Sequence, residues 1–177
     1  MGMTELDNSL SEPARVASYS FDSAFIPISP RLKENGQWLP KRYSEKAVAW
    51  DVRYVAEQEG KFLIIPPGES AFINCGFSLQ LHDYFAALLL IRSGTSKKST
   101  LLLTNSVGVI EPDYKEAVCA NLFNYGKAPI MIVDKERVLQ ITFSLSPYGL
   151  TCLYPAQFEL SPCTQTRQGG FGSSGVS

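Results

Sequence analysis

The chain has 177 residues, of which 45% are hydrophobic and 19% are charged, and its formal net charge is −1. A chain of this length and composition is expected to form one soluble globular domain with a proper hydrophobic core. Because the net charge is close to zero, no overall field attracts nucleic acid or an anionic membrane, and neither is expected as a partner. No apolar run approaches the roughly 18 residues of a membrane-spanning helix.

The first 20 residues are polar and lack periodicity, so they are predicted to form a flexible N-terminal arm rather than a signal peptide. The scattered cysteines include no C-x-x-C pair, which argues against a zinc or thioredoxin-like site; they are Cys75, Cys119, Cys152 and Cys163. Free thiols among apolar residues fit a reducing compartment, so the expected location is the cytoplasm, or the nucleus for a eukaryotic or viral source. His82, the single histidine, lies in a turn-like segment and is expected to be an exposed polar residue rather than a catalyst.

From residue 21 onward, short runs of Val, Ile, Leu, Phe and Tyr alternate with Gly, Pro, Asn and Asp, the pattern of β-strands separated by turns. The predicted strands are residues 25–28, 46–55, 62–65, 69–81, 84–91, 101–103, 118–123, 130–133, 137–145 and 151–154. Helical periodicity is nearly absent, and only residues 93–99 predict a short helix. The pattern therefore predicts an all-β barrel or jelly roll without a second domain.

The first polar cluster joins the end of an apolar strand to the short predicted helix, at Arg92, Ser93 and Gly94. Backbone N–H groups at such a junction, a hydroxyl and a fixed cation are suited to phosphate oxygens. A capped turn followed by the solvated pair Lys97 and Lys98 explains the same residues equally well. The cluster alone therefore leaves both interpretations open.

Two further polar clusters interrupt the apolar strands. One places Glu111, Asp113 and Tyr114 around a proline turn, which fits either a catalytic hairpin or a polar hairpin tip. The other places Arg137 and Gln140 within an apolar strand, where charges usually decorate a solvated edge. Neither cluster identifies a function by itself.

The glycine-rich tail, residues 168–177, contains a single aromatic side chain, Phe171. Glycine loses the most backbone entropy on ordering, so such a tail is either a disordered linker or a flap that orders over a ligand. Phe171 offers a flat apolar face, and the surrounding N–H groups and hydroxyls are able to wrap a phosphate.

Taken together and in this order, these segments resemble the motifs of the trimeric dUTPase family. The Ala-Gly-aromatic-Asp-Leu motif corresponds to residues 48–52, Arg-Ser-Gly to 92–94, Gly-hydrophobic-Ile-Asp-x-Asp-Tyr-x-Gly to 108–116, Gly-Asp-Arg-Ile-Ala-Gln-Leu to 135–141, and the Arg and Gly-Gly-Phe-Gly-Ser tail motif to Arg167 and 169–175. Each motif alone is a weak signal, but five in order within a β-rich chain of this size are a strong one.

The resemblance implies the fold and the assembly. The expected fold is a distorted jelly-roll β-barrel of the dUTPase type over residues 21–163, with a mobile C-terminal flap at residues 164–177. The family forms homotrimers with exchanged C-terminal arms, and each of the three sites is built from all three chains.

The resemblance also implies the activity, which is magnesium-assisted attack of water on the α-phosphate of dUTP to give dUMP and pyrophosphate. The implied catalytic residues are Glu111, Ser93 and Asp51, and Mg²⁺ is expected to be held mainly by the substrate phosphates, with a water-mediated contact to Asp51. The implied phosphate-binding residues are Arg92, Ser93, Gly94, Arg137, Gln140, Arg167, Ser173 and Ser174. The implied uracil- and deoxyribose-binding residues are Asn105, Gly108, Ile110, Tyr114, Val118, Cys119 and Phe171, with Tyr114 excluding a 2′-hydroxyl and Phe171 stacking on the base.

Two of the departures from the family pattern lie in the predicted hairpin. Glu111 stands where the family has the aspartate that activates water, and the extra methylene moves the carboxylate by about 1.5 Å. We expect the backbone near Pro112 to compensate for this length. Glu116 replaces a glycine, and a positive φ at that position would cost about 1 kcal/mol.

Three alternatives follow from the same resemblance. The related dCTP deaminases need a glutamate seven residues beyond the motif aromatic, but this chain has Asn121 there, which is unable to do acid–base work. A pyrophosphatase for dCTP or a modified dUTP is a second alternative. The third is a nucleotide-binding regulator with little turnover that acts through a protein partner.

Overall fold

The computed structural model describes residues 20–29, 33 and 36–146. Most of the predicted N-terminal arm, the strand predicted at 151–154 and the predicted flap lie outside the described residues. No helix within the described part of the chain is long and apolar enough to cross a membrane.

Short strands dominate the described residues, joined by a 3₁₀ turn (Phe21–Ala24) and a short α-helix, α1 (Ser93–Lys98). The strands are β1 (Phe25–Pro27), β2 (Trp50–Arg53), β3 (Phe62–Ile65), β4 (Ser70–Asn74), β5 (Phe77–Leu79), β6 (Phe85–Ile91), β7 (Leu101–Leu103), β8 (Gly108–Ile110), β9 (Cys119–Asn124), β10 (Ile130–Val133) and β11 (Arg137–Leu145). The predicted all-β class is confirmed, as is the short helix.

The strands form four antiparallel sheets, in the orders β2-β11-β6-β8, β4-β9-β7, β1-β5 and β3-β10. Burial alternates along most of these strands; in β9, for example, Ala120, Leu122 and Asn124 point inward. Side chains that alternate in this way bury one face of each sheet, and the buried faces meet in one core that includes Val52, Leu89, Leu139 and Ile141.

An aromatic cluster fixes β2, which carries Asp51. Trp50 is buried and lies edge-on to Phe143 and Phe21, with ring centres 5.2 and 6.1 Å away. Its indole Nε1 donates a hydrogen bond to Asp22 Oδ1 at 2.6 Å. Because successive side chains of a strand point to opposite faces, burial of Trp50 turns Asp51 to the outer face of the sheet.

Two predicted strands differ from the structure. The strand predicted at 46–55 is confined to β2, because residues 46–49 and 54–55 lie outside the sheet. The strand predicted at 69–81 is divided into β4 and β5 by a bend at Gly76, whose φ is +78°. The Asn74 side chain stabilises this bend by accepting a hydrogen bond from the Gly76 N–H at 2.7 Å.

Candidate active site

Three charged side chains meet at one end of the four-stranded sheet. Arg92 Nε donates to Asp51 Oδ1 at 2.8 Å, and Arg137 Nη1 donates to Asp51 Oδ2 at 3.1 Å. The Asp51 side chain is 16% exposed, whereas those of Arg92 and Arg137 are 23% and 37% exposed. One carboxylate therefore balances two guanidinium groups at a partly solvated surface, and the remaining positive charge suits a multiply charged anion.

The register of the strands places these groups together. Asp51 on β2 lies directly opposite Gln140 on β11, and β11 pairs on its other edge with β6, which leads into Arg92. Directly opposed residues on one face have Cβ atoms about 5 Å apart, so Gln140 is a neighbour of Asp51. Arg92 Nη1 also donates to the carbonyl oxygen of Arg137 at 2.9 Å, which ties the end of β6 to the start of β11.

Ser93 and Gly94 follow Arg92 as the first residues of α1, and both are exposed. Thr95 anchors the helix, because its hydroxyl donates to the carbonyl oxygen of Val138 at 3.0 Å. A Cβ atom added to Gly94 would meet nothing within 4 Å, so the space beside the cluster is open.

A groove of about 960 Å³ extends from this cluster between α1 and β10. Among the described residues that line it, Glu136 is the sole acid, whereas the basic residues are Arg92, Lys97, Lys98, Lys127 and Arg137. A chain of almost zero net charge thus concentrates positive charge beside the residues predicted to bind phosphate.

A second layer of aromatic and basic residues supports Arg137. Its Cζ lies 4.4 Å from the centre of the Tyr43 ring. Arg53 Nη2 donates to the Tyr43 hydroxyl at 2.7 Å, and Arg53 Nη1 donates to the Lys135 carbonyl oxygen at 2.5 Å. The Trp38 ring lies 5.2 Å from Arg53 Cζ and 5.0 Å from Lys135 Nζ. Tyr43 lies in a loop and Arg53 ends β2 just beyond the first motif, so no pattern in the sequence links either residue to the site.

The backbone strain expected at Glu116 falls elsewhere. Among the described non-glycine residues, positive φ occurs at Ser106 (62°) and Lys135 (69°), and Glu116 is not one of them. Lys135 occupies the position of the glycine that opens the motif at 135–141. It lies in the turn between β10 and β11, which is closed by a 3.1 Å hydrogen bond from the Glu136 N–H to the Val133 carbonyl oxygen.

The predicted catalytic hairpin begins with β8, which pairs with β6. A Cβ atom at Gly108 would lie 3.2 Å from Leu89 Cβ, so glycine permits this close approach. Glu111 opens a tight turn with Pro112 at its second position, closed by a hydrogen bond from the Tyr114 N–H to the Glu111 carbonyl oxygen at 3.1 Å. The Tyr114 hydroxyl donates to the Ala117 carbonyl oxygen at 2.9 Å.

Within one chain the hairpin is far from the charged cluster. Ile110 pairs with Ala87 on β6, so Glu111 lies near the start of β6, level with Ala86, whereas Arg92 follows its end. Five to six residues at about 3.3 Å each separate the two positions by roughly 20 Å. A single chain therefore brings Asp51, Arg92, Arg137 and Gln140 together, but it does not bring Glu111 or Tyr114 to them.

The residues predicted to bind the base have different environments. Ile110 is almost fully buried, and Cys119 begins β9 opposite Asn74. Val118 uses both of its backbone groups within the fold, because its N–H donates to Phe77 and its carbonyl oxygen accepts from the Cys75 N–H. The predicted tail ligands lie outside the described residues; they are Arg167, Phe171, Ser173 and Ser174.

Two cysteines flank Val118, because Cys119 follows it and the Cys75 N–H donates to its carbonyl oxygen. Cys75 is fully buried, and burial, reinforced by the neighbouring Cys119, raises the pKa of its thiol. Burial also raises the pKa of the half-buried Cys119. Both groups are therefore protonated near neutral pH and act as small apolar side chains rather than nucleophiles.

Comparison with known proteins agrees with the order of the motifs. A family model described as dUTPase matches residues 37–175. The deoxyuridine 5'-triphosphate nucleotidohydrolase of Desulfitobacterium hafniense is 34% identical over 157 residues, which cover 88% of this chain and 99% of that protein. The protein with the same description from Ectopseudomonas mendocina is 31% identical over 152 residues. The matched region covers 84% of this chain and 93% of that protein.

A solved structure supports the same conclusion. The crystal structure of the dUTPase from Streptococcus mutans superposes with a TM-score of 0.60 at 25% identity, covering 69% of this chain and 94% of that one. Agreement in sequence, motif order and fold leads to one conclusion. The chain belongs to the dUTPase family.

Proposed function

We propose that this chain is a dUTP diphosphatase, which hydrolyses dUTP to dUMP and pyrophosphate. The observation that carries the proposal is the Asp51–Arg92–Arg137 cluster at the motif positions of a dUTPase family member. The reaction keeps uracil out of DNA and supplies dUMP for dTMP synthesis.

The charged cluster is suited to hold the triphosphate. Arg92 and Arg137 supply guanidinium donors that complement phosphate oxygens, and Asp51 holds both in a fixed orientation. Donors fixed in advance stabilise the charge that develops on phosphate oxygens in the transition state. Ser93 and Gly94 are exposed beside Arg92, which supports their predicted role in binding the phosphates.

The proposed base is Glu111, which orients the attacking water and accepts its proton. Water attacks the α-phosphorus, the bond to the bridging α–β oxygen breaks, and pyrophosphate leaves. The turn from Glu111 to Tyr114 fixes the backbone position from which the Glu111 side chain extends. Tyr114 lies at the end of the same turn, where its ring is proposed to support the deoxyribose.

The reaction requires more than one copy of the chain. The separation of roughly 20 Å along β6 keeps Glu111 from the phosphate cluster of its own chain, so the hairpin of a second copy must supply it. We propose a homotrimer with three shared sites and exchanged C-terminal arms. The tail residue Phe171 then covers the base in a site that its own chain only partly forms.

The protein groups fit a magnesium ion that arrives with the triphosphate. Asp51 is a carboxylate of the kind Mg²⁺ prefers, but both its oxygens already accept from arginines, which leaves a water-mediated contact. Within the described ranges no group of three or more His, Cys, Asp and Glu residues is placed to hold a metal ion. Magnesium, when bound by the phosphates, neutralises part of their charge.

The test is pyrophosphate release from dUTP with magnesium, in the wild type, in Asp51→Asn and in a truncation lacking residues 167–177. We expect turnover by the wild type and a loss of about 10²-fold or more in kcat/KM for both variants, because each disturbs positioning. The matched control is Asp83→Asn, which removes an exposed carboxylate in the turn before β6. A wild type that releases no pyrophosphate above the blank contradicts the proposal.

A further inference from the structure

Three exposed lysines line the groove between α1 and β10, in addition to Arg92 and Arg137. Lys97 and Lys98 belong to α1, and Lys127 lies in the turn between β9 and β10. Among the ion pairs that described residues form, none includes any of these lysines. Like charges that share a groove repel one another, and a bound anion relieves that repulsion.

The acidic residue of the groove is engaged elsewhere. Among the described lining residues, Glu136 is the sole acid. Its Oε2 accepts a hydrogen bond from the Val133 N–H at 3.1 Å, so the carboxylate helps to close the turn between β10 and β11. A chain with a net charge of −1 therefore keeps an excess of positive charge in this groove.

A buried asparagine fixes the turn that carries Lys127. Asn124 Oδ1 accepts from the Thr100 hydroxyl at 2.8 Å and from the Gly126 N–H at 2.9 Å. Its Nδ2 donates to the Ala128 carbonyl oxygen at 2.8 Å. One buried side chain thus holds the residues on both sides of Lys127. A backbone fixed in advance loses less entropy when a ligand binds.

The same turn lies against the end of α1. The Tyr125 N–H donates to the Thr100 carbonyl oxygen at 3.0 Å. A Cβ atom at Gly126 would lie 2.1 Å from Thr100 Oγ1, so only glycine permits this close approach. Lys98 lies two residues before Thr100, and Lys127 lies two residues after Tyr125. The lysines of α1 and of the turn therefore reach the groove from two sides.

We propose that Lys97, Lys98 and Lys127 form a second anion subsite beside the phosphate cluster, and that this subsite binds a pyrophosphate group. Ammonium groups donate charge-assisted hydrogen bonds to phosphate oxygens. The groove of about 960 Å³ has the size of a small-molecule site. The inference goes beyond the proposed function, because filling the subsite requires neither hydrolysis nor Glu111.

Two sources supply the same chemistry. One is inorganic pyrophosphate, which the proposed reaction releases next to the groove. The other is the pyrophosphate group of a second nucleotide, whose base would then lie on the Tyr125 ring. That ring is exposed and lines the groove.

The test is calorimetric titration of inorganic pyrophosphate into protein saturated with α,β-imido dUTP, at low ionic strength because salt screens exposed charges. The analogue occupies the phosphate cluster, so pyrophosphate that still binds has a second site. We expect one pyrophosphate per chain. The variants Lys97→Ala, Lys98→Ala and Lys127→Ala should each raise its Kd about fivefold or more, because each removes a charged donor.

Two further variants are the controls. Lys61→Ala removes an exposed lysine that does not line the groove and should leave the Kd within about twofold of the wild type. Lys98→Arg keeps the charge and should retain binding. Absence of pyrophosphate binding to the analogue-saturated protein overturns the inference, and it is also the result expected if a second copy covers the groove. Equal Kd values for the groove variants and Lys61→Ala overturn it as well.

Adenosine 5′-diphosphate, titrated into the same analogue-saturated protein, separates the two sources. If a nucleotide fills the subsite, it binds about tenfold more tightly than pyrophosphate, and Tyr125→Ala removes that advantage because the base stacks on the ring. If free pyrophosphate fills the subsite, the nucleotide binds no more tightly and Tyr125→Ala changes nothing. Both results support the subsite and differ in its occupant.

The subsite and the proposed function fail independently. A protein that neither binds α,β-imido dUTP nor releases pyrophosphate from dUTP contradicts the function. Titration of pyrophosphate into the protein without analogue then still compares the groove variants with Lys61→Ala, because binding requires no turnover. A protein that hydrolyses dUTP but binds no pyrophosphate beside the analogue overturns the inference alone.

Discussion

The guanidinium group of Arg137 lies over the ring of Tyr43, with Cζ 4.4 Å from the ring centre. The same guanidinium donates to Asp51 at 3.1 Å, so an aromatic face and a carboxylate hold it together. Arg53 in turn fixes the Tyr43 hydroxyl at 2.7 Å. A residue outside the five motif segments therefore determines how a proposed phosphate ligand is presented.

We predict that Tyr43→Leu raises the KM for dUTP about fivefold while kcat stays within about twofold. The reason is that a cation–π contact at an exposed site contributes about 1 kcal/mol, and its loss lets Arg137 sample other rotamers. Tyr43→Phe keeps the ring and should stay within about twofold of the wild type. Steady-state kinetics measure the split, with the exposed Tyr84→Leu as the control. Equal KM values for Tyr43→Leu and the control would contradict the prediction.

Substitutions of Glu111 test whether the tight turn accommodates a side chain one methylene longer than aspartate. We predict that Glu111→Asp lowers kcat about tenfold, because the hairpin backbone is set for glutamate and a shorter side chain misplaces the base. Glu111→Gln should lower kcat by about 10²-fold or more, because an amide is unable to accept the proton. Single-turnover rates with dUTP measure both effects. A gain of about 10²-fold for Glu111→Asp would show that the backbone does not compensate.

Lys135 is held at φ +69°, which costs a non-glycine residue about 1 kcal/mol. We predict that Lys135→Gly is more stable than Lys135→Ala by about 1 kcal/mol, because both variants lose the lysine contacts but only glycine relieves the backbone. Urea unfolding measures this difference. Lys127 is exposed and is not among the described residues with positive φ, so it is the matched control position. There, Lys127→Gly should be less stable than Lys127→Ala. The same sign at both positions would contradict the argument.

Much of the site was predictable because motif spacing and strand alternation are local properties. The apolar runs at residues 118–123 and 137–145 predicted two strands, which the structure contains as β9 and β11. The resemblance assigned Asp51, Arg92, Arg137 and Gln140 to one site, and β2-β11-β6 pairing brings them together.

The remaining features depend on contacts between distant segments. Tyr43 belongs to the site only because a loop folds over Arg137, and no periodicity marks that contact. The strained backbone at Lys135 was not predicted, because lysine is not a typical turn residue. Strain was expected at Glu116 instead, where a glutamate replaces a family glycine. The break between β4 and β5 depends on the hydrogen bond from the Gly76 N–H to the Asn74 side chain. In the sequence, these two residues stand within a long apolar run that predicts a continuous strand.

Cys75 should make the protein less stable at alkaline pH. Burial raises the pKa of its thiol, so above about pH 8.5 the unfolded chain releases a proton that the folded chain retains. Stability is therefore unaffected below that pH, and it falls by up to about 1.4 kcal/mol per pH unit as pH rises from there toward the folded pKa. Burial also raises the pKa of Cys119, which adds to the loss in both proteins, and that of Tyr54, which adds to it above about pH 10, so the two proteins are compared at pH 8.5–10. Urea unfolding under reducing conditions measures the slope, and Cys75→Ala, although less stable at pH 7.5, should show a shallower fall. An identical slope in the two proteins would mean that the buried thiol is not the titrating group.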